Sequence, residues 1–325
     1  MRRATPAAPV HRASSLGLRE PEGAARQYSI KGHRLAAPSL QAGLYLVATP
    51  IGNLGDITVR ALETLAAADL IACEDTRRSR KLLDAYAIRT PLTPYHDHNA
   101  VSARPRLIER LAQGAAVALI SDAGTPLVSD PGYKLAREAH LAGISITTLP
   151  GPSAVLAALA VSGIASDRFL FDGFLPARQA ARRARIAALS SIPATLILFE
   201  TAPRLAEALA DLAAGLGARE TAICRELTKL HEEVLRGNLA SLARDCAGEA
   251  QMRGEMVIVI APPPPTPEMK TDDLDALLRS ALDRLSLKEA VEEIAALSAV
   301  PRRTIYQRAL ALRGAHAHGG EDDRG

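Results

Sequence analysis

Between residues 44 and 149 the chain alternates short apolar runs with helical patterns, and this alternation restricts the fold more than any other feature. The apolar runs are Leu44–Ala48, Leu70–Cys73, Ala115–Ile120 and Ile144–Leu149. Helical periodicity occupies Ile57–Ala67, Thr76–Tyr86, a stretch from a cap at Asn99 through Leu111, and Tyr133–Ala142 up to Gly143. A strand that is apolar at every position has both faces covered, and strands alternating with helices form parallel sheets. The expected class is therefore α/β, with a largely parallel sheet covered on both sides.

A second set of elements follows Pro150. Pro152–Val161 reads as an Ala-rich helix and Arg204–Leu216 as another. Strands are expected at Phe169–Phe171, Ala194–Phe199, Ala218–Cys224, His231–Leu235 and Met256–Ile260. No repeat of fixed period relates the two halves. The Pro-rich run Ala261–Pro267 breaks the chain as a stiff linker would. Beyond it, Ser286-Leu-Lys-Glu289 has the form of a capping box, and Leu287, Ala290, Val291, Ile294 and Leu297 recur at helical spacing. Pro301 suits the first turn of a further helix, so the end resembles a helix-turn-helix. Arg302, Arg303 and Arg308 on that helix read either as nucleic-acid contacts or as a solvated basic face. The expected organisation is a disordered basic extension over 1–42, α/β domains over 43–150 and 151–262, and a linker over 263–270. A helical tail over 271–313 and a disordered end over 314–325 complete it.

Composition adds mainly exclusions. A formal charge of +3 decides nothing about nucleic acid, which must be argued from local clusters. Cys73, Cys224 and Cys246 lie far apart, without zinc or disulfide spacing, which fits a reducing cytoplasm. No apolar run approaches the roughly 18 residues needed to span a bilayer, so no membrane partner is expected. The first forty residues carry seven Lys/Arg against two acids. They read as a basic extension or a transit peptide, with Pro6, Pro9 and Pro21 interrupting any helix.

Three loops on one sheet edge have unusual composition. Thr49–Asp56 follows the first strand, and its Gly52 and Gly55 allow close backbone approach at a helix start. It has neither the GxGxxG fingerprint nor the GKS/T of a P-loop, which argues against NAD or ATP. Ser121–Gly132 contains two Asp turns punctuated by Pro and Gly, and Leu149–Ala154 repeats the arrangement after the next strand. In open parallel sheets ligands sit at the carboxyl ends of the strands, where these loops lie.

Thr49-Pro-Ile-Gly-Asn-Leu-Gly-Asp-Ile-Thr58, Glu74-Asp-Thr-Arg77, His96-Asp-His98, Ser121-Asp-Ala-Gly-Thr-Pro126, Asp130-Pro-Gly132, Leu149-Pro-Gly-Pro152 and Gly173-Phe-Leu-Pro176 stand in one order. The set closely resembles the ribosomal small-subunit RNA methyltransferase I family, within the tetrapyrrole-methylase fold, from about Leu44 to Leu312. The resemblance implies two α/β domains with S-adenosylmethionine in the cleft between them. It implies methyl transfer to the 2′-hydroxyl of a cytidine in 16S rRNA of the small ribosomal subunit, by a homodimer. It also implies donor contacts at Pro50, Asp122, Ala123, Gly124, Thr125, Pro126, Ser153, Ala154, Gly254, Glu255 and Met256. The family usually has His immediately before the Arg of Glu200-Thr-Ala-Pro-Arg204; here Pro203 takes that place, so no step is assigned to that histidine.

Methyl transfer from a sulfonium needs nucleophile, carbon and sulfur in line, and a base to take the hydroxyl proton. Carboxylates and imidazoles in reach are Glu74, Asp75, His96, Asp97, His98, Glu200 and Glu226. Glu74, Asp75, Arg77, Glu200 and Lys229 are the expected catalytic set. Asp75 and Arg77 read equally as a helix cap with a surface arginine, and Lys229 as a phosphate-steering group or a solvated lysine. His96 and His98 point opposite ways in an extended chain, so no metal is expected. Arg78, Arg80 and Lys81 form one basic cluster, and Arg178, Arg182, Arg183 and Arg185 another; with Arg302 and Arg303 they are the expected RNA contacts. Two other readings fit parts of the pattern: a methylase of a tetrapyrrole or other small molecule on the same fold, and a non-catalytic RNA-binding assembly factor.

Overall fold

The computed structural model of the chain describes residues 26–129, 132–248, 253–264, 271–298 and 300–318. Expectations for residues 1–25, for Asp130-Pro131, for most of the Pro-rich linker and for 319–325 fall outside them. Contacts divide the chain into two units, Met1–Pro262 and Pro263–Gly325.

The first unit opens with a hairpin, β1 Gln27–Ile30 and β2 His33–Ala36. There follow β3 Gly43–Val47, a 3-10 turn at Leu54–Asp56, α1 Val59–Ala67, β4 Leu70–Cys73 and α2 Thr76–Ala85. Next come β5 Leu92–Pro94, α3 Ala100–Ala112, β6 Ala116–Ile120, α4 Tyr133–Leu141 and β7 Ile146–Leu149. The sheet order is β5-β4-β6-β3-β7, with every pair parallel. Alternation along β6 explains the continuous apolar runs. Val117 and Leu119 face the core of α3 and α4, while Ala118 and Ile120 face that of α1 and α2. The hairpin corrects the expectation of a disordered stretch through residue 42. Its strands are only four residues long, too short for a period to stand out. It is anchored by Tyr28, 3% exposed, with Ile30 packed on the same core, and by an Arg26–Asp69 ion pair of 2.7 Å.

The second half of this unit contains α5 Ala154–Ser162, β8 Phe169–Phe174, α6 Gln179–Leu189, β9 Thr195–Thr201 and α7 Ala202–Leu216. It continues with β10 Glu220–Arg225, β11 Glu233–Asn238, α8 Leu239–Gly248 and β12 Glu255–Ile260. Here the order is β11-β10-β12-β9-β8, and only β8 and β9 run parallel. Leu196 and Leu198 of β9 pack with α6, α7 and α8, whereas Ile197 packs on the opposite face with α5. Ile51, from the loop after β3, is buried in that opposite core. The two sheets are thereby joined through a loop side chain as well as through the chain itself.

The second unit is a three-helix cluster of α9 Thr271–Leu282, α10 Leu287–Leu297 and α11 Arg302–His318. Leu274, Leu278, Val291, Ile294, Ile305 and Ala309 form its core. Both hydrogen bonds of the Ser286/Glu289 capping box are present. Arg308 makes a two-pronged contact with Asp275 at 2.6 and 2.7 Å, and Arg302 pairs with Glu292 at 2.9 Å. Arg308 therefore ties α11 to α9 rather than presenting a free cation, while Arg303 is exposed.

A further correction concerns α6. Arg182 is 1% exposed and donates to Asp211 at 2.7 Å, Arg183 reaches the other Asp211 oxygen at 2.7 Å, and Arg185 pairs with Asp172. A buried guanidinium cannot meet an RNA phosphate, so Arg182 is a structural residue. Burial alone would raise the Asp211 carboxyl, but hydrogen bonds from the two guanidiniums hold it below the usual range. Its stabilising contribution is thus present at neutral pH and lost as pH falls through that lowered value. Removing one member of a buried pair strands the other charge, so Asp211→Ala is expected to cost about 3–5 kcal/mol in urea unfolding. Unchanged stability would show that the pair is not buried.

Candidate active site

The loops after β3 and β6 are tied directly together. Thr49 and Gly124 exchange both backbone hydrogen bonds at 2.9 Å, the Thr49 hydroxyl donates to the Ser121 carbonyl, and the Ser121 hydroxyl to that of Gly124. Gly124 sits at φ +83°, and a side chain there would lie 3.3 Å from Ile51. Thr125 extends the tie to the third loop through the Pro152 carbonyl at 3.2 Å. Helix starts are fixed by their own caps: Thr58 for α1, Asp75 for α2 and Ser153 for α5. Asp122 braces α2 as well, accepting from the Asp75 N–H at 3.0 Å and lying 3.4 Å from Arg78.

A cavity of about 380 Å³ lies between these loops and the second sheet. That size suits a small organic ligand. Its inner wall is apolar, from Ile51, Val155, Leu227 and Val257. Five carboxylates line it, Glu74, Asp122, Glu200, Glu226 and Glu255, against two cations, Arg78 and Lys229. The excess of negative charge favours a cationic ligand over an anionic one. Burial, with the charges of Asp122 and Asp97, pushes the Glu74 carboxyl up. Glu200 is 2% exposed, with one oxygen accepting from the Thr201 N–H at 2.8 Å and the other 3.3 Å from Arg204.

Lys229 is clamped, its ammonium 2.8 Å from Glu226 and 2.9 Å from Glu255. Burial alone would lower its pKa, but these two carboxylates raise it, and the Lys229 hydrogen bond lowers that of Glu226. The clamp fixes the loop after β10, where Glu226 and Thr228 adopt positive φ. Gly52 must be glycine beneath it, since a Cβ would fall 2.4 Å from the Lys229 stem.

The cavity gathers Glu74, Arg78, Asp122, Ala123, Gly124, Thr125, Ser153, Ala154, Glu200, Lys229, Glu255 and Met256 from positions far apart in sequence. Pro50, Pro126 and Gly254 adjoin lining residues without lining it themselves. Asp75 and Arg77 do not line it: Asp75 caps α2 through the Arg77 N–H at 2.8 Å, and the Arg77 guanidinium folds back onto it at 3.1 Å. Their side chains are spent on the helix start. Arg80 is half-buried, while Lys81 and Arg178 are exposed. Pro203 sits in the first turn of α7, a position that tolerates a missing N–H. A turn brings the His96 and His98 rings to 6.0 Å, edge to face. Among the described residues no cluster of His, Cys, Asp or Glu is arranged to hold a metal. Cys224 lines the cavity, but burial pushes its thiol up to about 11, far from a nucleophilic thiolate at neutral pH. Sequence reasoning gave no site role to Val128, Phe174 or Phe199, which also line the cavity. The available signal was the Gly173-Phe-Leu-Pro176 motif.

The family of tetrapyrrole (corrin/porphyrin) methylases matches residues 43–243, and the RsmI C-terminal HTH domain matches residues 268–313. Diphthine synthase shares the fold, with a TM-score of 0.53 at 20% identity over 67% of this chain and 89% of that one. Fold and family match together define a methyltransferase of the tetrapyrrole-methylase class. The ribosomal RNA small subunit methyltransferase I of Mesorhizobium japonicum is 51% identical over 88% of this chain and 97% of its own. The protein of that name from Escherichia coli O157:H7 is 42% identical over 88% of this chain and its full length. The chain belongs to the ribosomal RNA small subunit methyltransferase I family. Among the described residues no helix is long and apolar enough to cross a membrane.

Because Gly124 holds the loop tie in a left-handed conformation, Gly124→Ala is expected to cost about 1–2 kcal/mol of stability. It should also weaken binding of a sulfonium ligand by calorimetry. Unchanged binding would remove the tie from the site.

Proposed function

We propose that the chain transfers the methyl group of S-adenosylmethionine to a cytidine 2′-hydroxyl in small-subunit ribosomal RNA, at position 1402. Support comes from relatives named for that RNA subunit, at 42–51% identity over most of the chain. The observation that carries the chemistry is the cavity itself: small, apolar inside and ringed by an excess of carboxylates. That lining fits a sulfonium ligand bearing an adenosyl group, and it disfavours a carboxylate-bearing tetrapyrrole.

The residues that would hold the donor are Ile51, Gly124, Thr125 and Ser153 on one side, with Glu255 and Met256 across from them. The donor supplies an electrophilic methyl carbon on a positively charged sulfur. The chain must then place a ribose hydroxyl in line with it, exclude water and receive one proton. Glu74 is the proposed base: it lines the cavity, and its raised pKa brings it closer to the operating pH, where a base is most effective. Glu200, fixed by Thr201 and Arg204, contributes a stationary negative charge. Lys229 shapes the wall through its clamp rather than meeting phosphate. Arg78 at the cavity edge, with Arg80, Lys81, Arg178 and Arg303, is proposed to contact the RNA backbone, a role that positions without specifying the base. A homodimer is part of the same proposal and is checked by sedimentation.

The decisive measurement maps 2′-O-methylation of 16S rRNA in a strain lacking the gene. Loss of one cytidine modification, restored by the wild-type chain, is expected; an unchanged map sinks the proposal. A second outcome concerns pH. Glu74 acts ionised, and burial with neighbouring negative charge favours its protonated form. Activity should therefore fall as pH drops through a midpoint above the ordinary carboxylate range. Glu74→Gln should abolish that limb and lower kcat by about 10²–10⁴-fold. An intact acid limb in Glu74→Gln would assign the proton to another group.

A further inference from the structure

The chain contains four phenylalanines and no tryptophan, and all four lie on two adjacent strands. Phe169, Phe171 and Phe174 are on β8, and Phe199 is on its parallel neighbour β9. Three of them form one aromatic cluster. Phe171 and Phe199 meet edge to face at 4.8 Å, and Phe174 and Phe199 at 5.6 Å. Phe199 and Phe174 both line the cavity, yet they differ in exposure: Phe199 is half-buried, whereas Phe174 is 50% exposed. Packing alone would turn such a ring inward. It is held outward because β8 is irregular between Phe171 and Gly173, with Gly173 at φ +70°.

The surroundings of Phe174 are specific. A Cβ on Gly173 would lie 3.1 Å from the Ser129 hydroxyl, so the segment carrying Phe174 abuts the loop after β6. That loop presents Val128, 36% exposed, which also lines the cavity. The same cavity edge carries Arg78, its side chain 67% exposed and only loosely paired at 3.4 Å. An exposed flat ring, a second apolar side chain and an available guanidinium are thus grouped at a cavity that is apolar inside and ringed by an excess of carboxylates. That ring of charge disfavours a phosphate backbone running through the cavity, so the accepting nucleotide enters singly, with its phosphates left outside.

We propose that Phe174 is the stacking platform for the nucleobase of the methyl-accepting nucleotide, with Val128 beside the base and Arg78 meeting its phosphate. The inference rests on the RNA reading above. Stacking on an aromatic ring is tolerant of base identity. Phe174 therefore fixes the depth and tilt of the ribose, placing its hydroxyl, and is a positioning residue rather than a proton carrier. The donor's adenine is the other nucleobase available to the cavity. The half-exposed position at the edge favours the acceptor, because the apolar inner wall is where an enclosed donor would sit.

The test uses full-length protein, small ribosomal subunits from a strain lacking the enzyme, and tritiated S-adenosylmethionine. Phe174→Ala and Phe174→Leu are compared with wild type and with Phe174→Tyr, which keeps the ring; thermal melting of each variant checks folding. Loss of one stacked base predicts a fall in kcat/KM for subunits of about 5- to 150-fold in the Ala and Leu variants. S-adenosylhomocysteine affinity by calorimetry should change less than about twofold, and Phe174→Tyr should restore most of the activity. Leu fills similar space without a π-face, so a Leu variant as active as wild type overturns the proposal. A parallel loss of S-adenosylhomocysteine affinity overturns it in favour of a donor-adenine platform. Failure of the wild type itself to label the subunits overturns the RNA reading, and the acceptor platform with it.

Discussion

The reciprocal hydrogen bonds between Thr49 and Gly124 are the contact on which the arrangement of this molecule turns. They join the ends of β6, the central strand of the parallel sheet, and its neighbour β3, and convert two independent loops into one surface. The joint demands a left-handed residue that leaves room for Ile51, and glycine meets both conditions. Once the joint is made, Ile51 is directed into the core of the other half, Asp122 is aimed at the start of α2, and Thr125 reaches the third loop. The helices themselves are more ordinary: α1, α2 and α5 are capped by single side chains, and the helices pack through apolar faces.

From that joint the seam between the halves follows. Gly52 lies under the Lys229 stem and Gly173 against Ser129, so two close approaches flank the cavity. Close approach is possible only where side chains are absent, which explains glycine in both motifs. The Glu226–Lys229–Glu255 clamp holds the opposite wall, in a loop with two non-glycine residues at positive φ. Strain of that kind persists only where surrounding contacts outweigh it, and it concentrates at functional sites.

How much of this was legible in the sequence depended on the range of the interactions involved. The strands of the first sheet were readable because burial on both faces leaves an uninterrupted apolar run bounded by Pro, Gly or Asp. The antiparallel order of the second sheet was not readable, since pairing such as β12 with β9 is set by packing between residues some sixty positions apart. The three-residue β5 is too short to show any period. The hairpin at Gln27–Ala36 has strands of four residues and buries only Tyr28 fully. Arg182 shows the limit most clearly. Four arginines in eight residues look like a phosphate-binding patch, and only Asp211, 29 residues further on, reveals that one of them belongs to the interior. In the site, the loop motifs identified one wall of the cavity, whereas Phe199 and Val128 carry no local mark that separates them from core residues.

The imbalance of charge around the cavity has a consequence for turnover. On the proposed reading the donor arrives with a positive sulfur and departs as a neutral thioether, while Glu74 takes up the hydroxyl proton and the other carboxylates keep their charge. The wall that attracts the incoming cation therefore gains nothing electrostatically from the spent molecule. The electrostatic attraction is thus lost at transfer, and the charged lining favours an incoming donor over the spent one.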